Sequence, residues 1–324
     1  MLIYVAGLTA FLLTLLAGVP YLDFLKKKLY GQYIREDGPA SHAIKSGTPT
    51  TGGLIIVIPA VIASVVTLVM NRILNIDSLI ILLPFILFML CGLNDDYEKI
   101  TKKQNKGLSA RNKLFLQIFI ALIPALYITL HGNTFVSLFG LTKINIGYFY
   151  PIWAVLVIIG ASNAVNLTDG LDGLASGTMF FALIACAFIS SGLGRNDLAI
   201  ICMATAGSCL AFLYYNYNPA KMFMGDTGSM ALGGLLGTIA IIGKFELWLL
   251  LIGVIFIAET LSVIIQVISF KTTGKRVFKM SPLHHHFELS GWSEKKVVHT
   301  FWSVGFISAV LSIILFMMLN RGHL

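Results

Sequence analysis

Long apolar stretches alternate with short polar segments along the whole chain of 324 residues. Most of them have the roughly 17–25 residues that an α-helix needs to cross a bilayer, although the third and the eighth are slightly shorter. Lipid offers the backbone no hydrogen-bond partners, so runs of this kind predict helices rather than open strands. Ten stretches can be marked, at about residues 2–22, 52–70, 78–93, 114–130, 148–167, 174–193, 197–215, 228–243, 247–270 and 298–319. The pattern therefore predicts an all-α, polytopic integral membrane protein with about ten transmembrane helices.

The composition supports this interpretation, because hydrophobic residues make up 57% of the chain and charged residues only 12%. A soluble domain of this length carries roughly twice that charged fraction, so a large soluble core is excluded. The four cysteines lie inside apolar stretches without a C-x-x-C spacing, which indicates core residues rather than disulfides or a metal site. No linker or internal repeat divides the chain, so residues 1–324 are predicted to form a single transmembrane domain.

Lysine and arginine residues are distributed unequally between alternate loops. The loops after stretches one, three, five, seven and nine hold 5, 6, 0, 1 and 6 of them, which is 18 of the 23 in the chain. Because basic loops stay in the cytoplasm, these five loops are predicted to be cytoplasmic and both termini to lie outside. Lys26, Lys27 and Lys28 follow the first stretch, which indicates a retained helix rather than a cleaved signal peptide.

Acidic residues also gather in the five basic-side loops, although Asp and Glu contribute little to topology. Only Asp77, Asp197 and Glu246 fall in the loops of the opposite side. Those in the basic-side loops include Glu36, Asp37, Asp95, Asp96, Glu98, Asp169, Asp172, Asp226, Glu288 and Glu294. Because this dense, mixed charge needs a reason other than topology, we expect a functional site on the cytoplasmic face.

The third stretch ends in the segment 92–97, which contains the adjacent carboxylates Asp95 and Asp96. Two neighbouring carboxylates repel each other, so a cation or an unusual proton balance is expected nearby. A solvated helix end explains the pair equally well at this point. The six basic residues of the following loop, which ends at Lys113, suit a polyanion but could equally be a topogenic cluster.

Two further Asp-bearing turns lie on the same predicted face. The segment 163–173 holds two asparagines together with Asp169 and Asp172, which are three residues apart and flanked by glycines. A helix cap explains one of these carboxylates, whereas the full set favours a function. Asp226 precedes small residues that open the eighth stretch, where a cap is again an alternative. Oxygen ligands from several loops match Mg²⁺, which prefers carboxylates, phosphates and water.

Three adjacent histidines, His284, His285 and His286, lie in the last predicted cytoplasmic loop. A zinc site is one interpretation, but no cysteine accompanies them and adjacent histidines cannot easily bind one ion. Imidazoles that contact phosphate or sugar groups fit the rest of this face better. Carboxylates, a divalent ion and basic residues at a membrane surface together predict phosphoryl transfer from a soluble donor to a membrane-borne acceptor.

Several segments resemble those of one family, the bacterial phospho-N-acetylmuramoyl-pentapeptide transferases, within the polyprenyl-phosphate N-acetylhexosamine-1-phosphate transferases. They follow the family's order and extend over essentially the whole chain. They are KSGTPTTGG (45–53), GLNDDYEK (92–99), GLSARNK (107–113), NAVNLTDGLDGLA (163–175), FMGDTGS (223–229) and PLHHHFELSGW (282–292). The set is specific, above all its histidine segment, whereas a pair of aspartates alone is a weak signal.

The resemblance implies a Mg²⁺-dependent transfer of phospho-MurNAc-pentapeptide from UDP-MurNAc-pentapeptide to undecaprenyl phosphate. The products are UMP and lipid I, the first lipid-linked intermediate of peptidoglycan synthesis. The resemblance also implies a site at the cytoplasmic face of the bacterial plasma membrane, in contact with membrane lipid and without nucleic acid. A direct displacement and a two-step path through a covalent carboxylate are both open, and a homodimer is expected by analogy alone.

The resemblance further implies roles for individual residues. Asp95 is expected to deprotonate the lipid phosphate, with Asp96 beside it, and Asp226 to bind Mg²⁺ together with the pyrophosphate. His284, a catalytic candidate, is expected to contact phosphates or sugar together with His285 and His286. Uridine binding is assigned to Lys45, Asp172, Asn216 and Phe223, whose ring is placed to stack on uracil. The other expected substrate contacts are Thr50, then Asn166 and Asp169 at the pyrophosphate, and Lys99, Arg111 and Lys113 at the lipid phosphate.

Two other functions agree with parts of the sequence. A sister transferase, which moves GlcNAc-1-phosphate from UDP-GlcNAc to a polyprenyl phosphate, shares the Asp-rich loops but has a different histidine loop. An ion-coupled transporter uses Asp relays, but usually places them near the bilayer midplane rather than at helix ends. Glu259 and Gln266, inside the ninth stretch, suggest a function by their position, although interhelical hydrogen bonds explain them as well.

Overall fold

The apolar stretches form helices in the computed structural model of the chain, which describes residues 1–28, 47–102 and 107–320. The helices are α1 (Leu2–Lys27), α2 (Leu54–Met70), α3 (Ile76–Thr101), α4 (Ala110–Leu130), α5 (Tyr150–Thr168), α6 (Leu174–Gly192), α7 (Asn196–Asn216), α8 (Gly225–Gly243), α9 (Leu249–Ile252), α10 (Val254–Thr273), α11 (Leu283–Glu288) and α12 (Glu294–Leu319). Two short strands, β1 (Phe135–Leu138) and β2 (Thr142–Asn145), follow α4. Lys45, assigned to uridine, lies outside the described residues, as do Glu36 and Asp37.

Within the described ranges, nine helices are long and apolar enough to cross a membrane. The tenth predicted span, α2, is apolar but has only 17 residues. The prediction of a polytopic helical membrane protein is therefore confirmed. It has nine full-length candidate spans and one shorter apolar helix, where the sequence predicted about ten spans.

The all-α prediction is wrong for one short segment, because β1 and β2 form an antiparallel hairpin. Phe135 pairs with Asn145, and the chain turns at Phe139 and Gly140, whose φ angles are 53° and 84°. Each strand has only four residues. An alternation of polar and apolar residues over only four positions is not distinguishable beside apolar runs of helical length.

The third predicted stretch ends at residue 93, whereas α3 continues to Thr101. Asp95 and Asp96 therefore lie at a helix end, as expected, but the helix extends eight residues beyond the predicted apolar stretch and includes Lys99. Hydropathy marks only the apolar part of a helix, so a polar end that projects beyond the bilayer escapes it. Because residues three and four apart are neighbours on a helix, Lys99 lies beside both carboxylates.

The ninth predicted stretch, 247–270, is not one helix. A 3₁₀ turn over Glu246–Trp248 leads into α9, and Gly253 separates α9 from α10. The Gly253 N–H donates to Leu249 O at 2.8 Å, and a Cβ at this glycine would lie 2.8 Å from the same oxygen. A glycine thus allows the close turn at which the predicted helix divides in two.

Helix α8 lies inside the helix bundle, and all of its residues from Thr227 to Ile242 are buried. Its first turn packs directly against α3, since a Cβ at Gly92 would lie only 2.0 Å from Asp226 O. Only a residue without a side chain allows two backbones to approach this closely. The contact joins the C-terminal end of α3 to the N-terminal end of α8, and so places Asp95 and Asp96 beside Asp226.

Candidate functional site

Three carboxylates meet where α3 ends and α8 begins. Asp95, Asp96 and Asp226 each offer one oxygen, and these oxygens lie within 4.8 Å of one another. Asp95 and Asp96 are only 3% exposed. Carboxylates buried this closely repel one another unless positive charge lies among them. In the described part of the chain, this is the group of side chains that could hold a metal ion.

Two lysines supply positive charge to the three carboxylates. Lys99 Nζ lies 2.6 Å from Asp95 Oδ2, 2.9 Å from Asp226 Oδ2 and 3.8 Å from Asp96 Oδ1. Lys113, on the first turn of α4, places its Nζ 2.7 Å from Asp226 Oδ2. The ammonium group of Lys99 therefore lies among the three carboxylates, at a position where their negative charges attract a cation. Asp226 is the residue on which both ammonium groups converge.

The adjacent carboxylates Asp95 and Asp96 make different contacts. Asp96 caps α8: its Oδ1 accepts from Asp226 N at 3.1 Å, and its Oδ2 accepts from Thr227 N at 3.0 Å and Thr227 Oγ1 at 2.6 Å. These N–H groups have no partner within their own helix, and a carboxylate is a favourable acceptor for them. Asp95 instead accepts from Leu108 N at 3.0 Å and pairs with a lysine. Asp96 therefore fixes the position of Asp226, while Asp95 faces the charged cluster.

Replacing Asp96 by alanine should loosen the start of α8. Loss of a side-chain cap costs about 1 kcal/mol, which corresponds to a drop in melting temperature of roughly 2–4 °C for a chain of a few hundred residues. We expect thermal unfolding in detergent to show at least this drop, and affinity for Mg²⁺ to weaken because the backbone of Asp226 loses its contact with Asp96. Thr227→Val, which keeps the backbone N–H, should lower the melting temperature less. Equal melting temperatures for Asp96→Ala and the unmodified protein would contradict the capping role.

Asn166, at the end of α5, also holds Asp226. Its Nδ2 donates to Asp226 Oδ1 at 2.7 Å and to Ser229 Oγ at 2.8 Å. Three residues later, Asp169 lies in the loop that follows α5. Burial and, after it, the carboxylate of Asp226 raise the pKa of Asp169 well above its usual range. The structure thus brings both residues assigned to the pyrophosphate to the carboxylate cluster.

Two residues assigned to uridine fasten the neighbouring loops to each other. Asn216 Oδ1 accepts from Gly173 N at 3.0 Å, and its Nδ2 donates to Met222 O at 3.0 Å. Asp172 Oδ2 accepts from Ala220 N at 3.0 Å. Both side chains are buried, so they join the loop after α5 to the loop after α7. Their direct contact with uridine stays a prediction.

The remaining substrate candidates surround the start of α8. Phe223 donates its N–H to Pro49 O at 2.7 Å, and its ring is half-buried. Thr50 is 3% exposed, and its Oγ1 has no hydrogen-bond partner among the described residues. A Cβ at Gly225 would lie 2.6 Å from that oxygen, so Thr50 faces the first turn of α8. Arg111 is exposed on the first turn of α4.

The three histidines have three different partners. His284 is 1% exposed, and its Nδ1 lies 3.1 Å from Glu259 Oε1 on α10. His285 Nδ1 lies 2.9 Å from Glu288 Oε2. His286 Nδ1 accepts a backbone N–H from the segment that precedes α11. The ring centroids of His284 and His285 lie 4.2 Å apart, yet each of these two rings has its own carboxylate partner.

Two contact residues were missed or left open by the sequence. Thr227 was passed over, although its hydroxyl and its backbone N–H both donate to Asp96. Glu259 was left between a function and an interhelical hydrogen bond, and the structure pairs it with His284. A lone carboxylate inside an apolar stretch was the signal, but its partner lies 25 residues away on another helix.

The chain is similar to known proteins along most of its length. The model of glycosyl transferase family 4 matches residues 78–244, which include the three carboxylates and Asn166. The chain is also 49% identical over 308 residues to proteins named phospho-N-acetylmuramoyl-pentapeptide-transferase from Bacillus mycoides (strain KBAB4) and Bacillus thuringiensis (strain Al Hakam). Each alignment covers 94% of this chain and 94% of the relative.

Proposed function

The chain belongs to the phospho-N-acetylmuramoyl-pentapeptide-transferase family, and we propose that it transfers phospho-MurNAc-pentapeptide from UDP to undecaprenyl phosphate. The products are lipid I and UMP. The observation that carries the proposal is the cluster of three carboxylates and two lysines at one end of the helix bundle. Such a cluster can deprotonate an acceptor and neutralise phosphate charge, which are the main requirements of phosphoryl transfer.

We place this end of the bundle at the cytoplasmic face of the bacterial plasma membrane, with both termini outside. The support is the asymmetry of charge along the sequence, since 18 of the 23 basic residues fall in the loops that the sequence predicts to be cytoplasmic. A soluble nucleotide donor and a lipid acceptor can meet only where a polar cluster opens at the membrane surface. Residues 1–324 form one transferase domain in this proposed arrangement.

We assign the Mg²⁺ of the reaction to Asp226. Its carboxylate is held by Asn166 and already attracts two ammonium groups, so it fits a hard cation that prefers oxygen ligands. Both oxygens of Asp96 accept hydrogen bonds from the start of α8, so that residue serves as a support rather than a ligand. When bound, Mg²⁺ would neutralise charge on the donor's pyrophosphate.

Asp95 is the proposed base. Its carboxylate takes the proton of undecaprenyl phosphate, and the freed phosphate oxygen attacks the phosphorus that is bonded to the sugar oxygen. The bond from that phosphorus to the oxygen of UMP breaks, and UMP leaves with the electron pair. Lys99 and Lys113 lie beside Asp95 and Asp226, where they can attract the phosphates of both substrates.

Turnover by the purified protein tests this function. Incubation with UDP-MurNAc-pentapeptide, undecaprenyl phosphate and Mg²⁺ should release UMP and form a lipid-linked product in equal amounts. EDTA should stop both, and added Mg²⁺ should restore them. Turnover of UDP-GlcNAc without turnover of the pentapeptide donor would instead assign the chain to the sister specificity. A protein that turns over neither donor would contradict the proposed reaction.

A further inference from the structure

Glu259 is a carboxylate inside a membrane-spanning helix, and the proposed chemistry does not use it directly. It lies on α10 and is completely buried, with 0% of its surface exposed. A carboxylate in this position is costly unless a partner within the protein compensates it. The partner is His284, whose imidazole is also buried. Carboxylate–imidazole pairs commonly fix the orientation of a ring whose other nitrogen acts elsewhere.

One oxygen of Glu259 contacts His284 twice. Glu259 Oε1 accepts the backbone N–H of His284 at 3.2 Å, and it lies 3.1 Å from Nδ1 of the same residue. An ionised carboxylate only accepts hydrogen bonds, so with Glu259 ionised it is Nδ1 that carries the hydrogen of this contact. The two contacts therefore set both the ring's orientation and its tautomer. The other nitrogen, Nε2, is left for a different partner.

That nitrogen lies against the loop that follows α5. A Cβ at Gly170 would be only 2.2 Å from His284 Nε2, so the ring reaches the backbone beside Asp169. Among the described residues, Nε2 has no hydrogen-bond partner although it is buried. Buried polar atoms are usually paired, so an unpaired one at a functional site indicates a partner that arrives with the substrate. The same loop holds one of the residues assigned to the pyrophosphate.

We propose that Glu259 is a positioning residue, which acts through His284 by holding Nε2 towards the Asp169–Gly170 loop to meet a phosphate group of the nucleotide donor. The inference rests on the proposed function, since it deepens the same site. A role in helix packing alone would require neither the double contact nor the free nitrogen. It would also be fulfilled by an apolar side chain of similar size, which suits the interior of a membrane protein.

A double-mutant cycle on the full-length enzyme tests this role. Glu259→Leu should lower kcat about 10–100-fold, the usual cost of removing a group that orients a functional histidine. Glu259→Gln keeps an oxygen acceptor for Nδ1 and should restore most of the activity. In the His284→Ala background, Glu259→Leu should lower kcat no further, because its effect passes through the missing ring. Thr260→Val, on the same helix and bonded only to Phe256 O, is the matched control and should stay within twofold of the unmodified enzyme.

Equal losses from Glu259→Leu with and without His284 would overturn the proposal, as would equal losses from the Leu and Gln variants. If the unmodified enzyme turns over UDP-GlcNAc instead, the proposed substrate is wrong and the cycle applies to that donor. If neither donor is turned over, the proposed function has failed, and thermal unfolding replaces kcat as the readout. The melting-temperature losses of the two single variants should then not add in the double variant. Fully additive losses would overturn the pairing itself.

Discussion

Replacement of Asp226 by asparagine should lower turnover by about a thousandfold or more while the protein stays folded. Asp226 is the residue on which the site converges, since Lys99 and Lys113 both contact its Oδ2. The three carboxylates and two ammonium groups carry a formal charge of −3 + 2 = −1. In the variant the formal charge of the cluster is zero. An NH₂ group replaces one carboxylate oxygen of residue 226, and this new donor faces the donor groups that surround the side chain. We therefore expect the cluster to lose its attraction for a divalent cation.

Two measurements separate this effect from misfolding. Binding of Mn²⁺, used as a spectroscopic substitute for Mg²⁺, should fall together with turnover in the Asp226→Asn protein. Its melting temperature in detergent should change little, because Asp96 still caps the backbone of α8. Glu98→Gln is the control, since Glu98 lies on the same end of α3 and pairs with Lys102 near the surface. Activity of Asp226→Asn within a few-fold of the unmodified enzyme would remove Asp226 as the metal ligand.

The sequence predicted the membrane-spanning architecture because apolar runs of helical length have few other solutions in lipid. It also placed Asp95, Asp169 and Asp226 on one face, since their loops alternate along a polytopic chain. What it could not supply was the local geometry. Asp96 caps a helix that begins 129 residues later, and no pattern within either segment encodes that contact. The extent of α3 was missed because its last turns are polar.

The histidine segment shows the same limit. Its residues were easy to find, and chemistry alone argued against a zinc site. Their separate partners were not predictable, because Glu259 and Glu288 lie on different helices and only one of them is near in sequence. The hairpin of β1 and β2 was missed for another reason, since four-residue strands are brief beside the neighbouring spans. Sequence thus predicted which residues gather at one face, while packing determined what each of them contacts.

The two adjacent aspartates allow a sharp test of the proposed base. Asp95→Asn should lower kcat about 10²–10⁴-fold, the range for loss of a general base, while the KM for the nucleotide donor changes little. Asp95 lies beside the carboxylate of Asp226, but among the described residues it accepts no backbone hydrogen bond from the start of α8, so affinity for Mn²⁺ and the melting temperature should stay near those of the unmodified protein. Asp96→Asn should show the reverse order of effects. An NH₂ group replaces one oxygen of that cap and cannot accept from Thr227, so the melting temperature and the affinity for Mn²⁺ should fall more than kcat does.

The comparison between the two variants decides the assignment. Asparagine at position 95 still accepts from Leu108 N, so the loop that follows α3 keeps its contact. The change removes a proton acceptor beside Lys99, which approaches that carboxylate at 2.6 Å. If Asp95→Asn retained more than a tenth of kcat, the lipid phosphate would need no base at this position. If both variants lost metal affinity equally, Asp95 would act with Asp96 in supporting Asp226. Loss of kcat alone, confined to Asp95→Asn, is the result that the geometry leads us to expect.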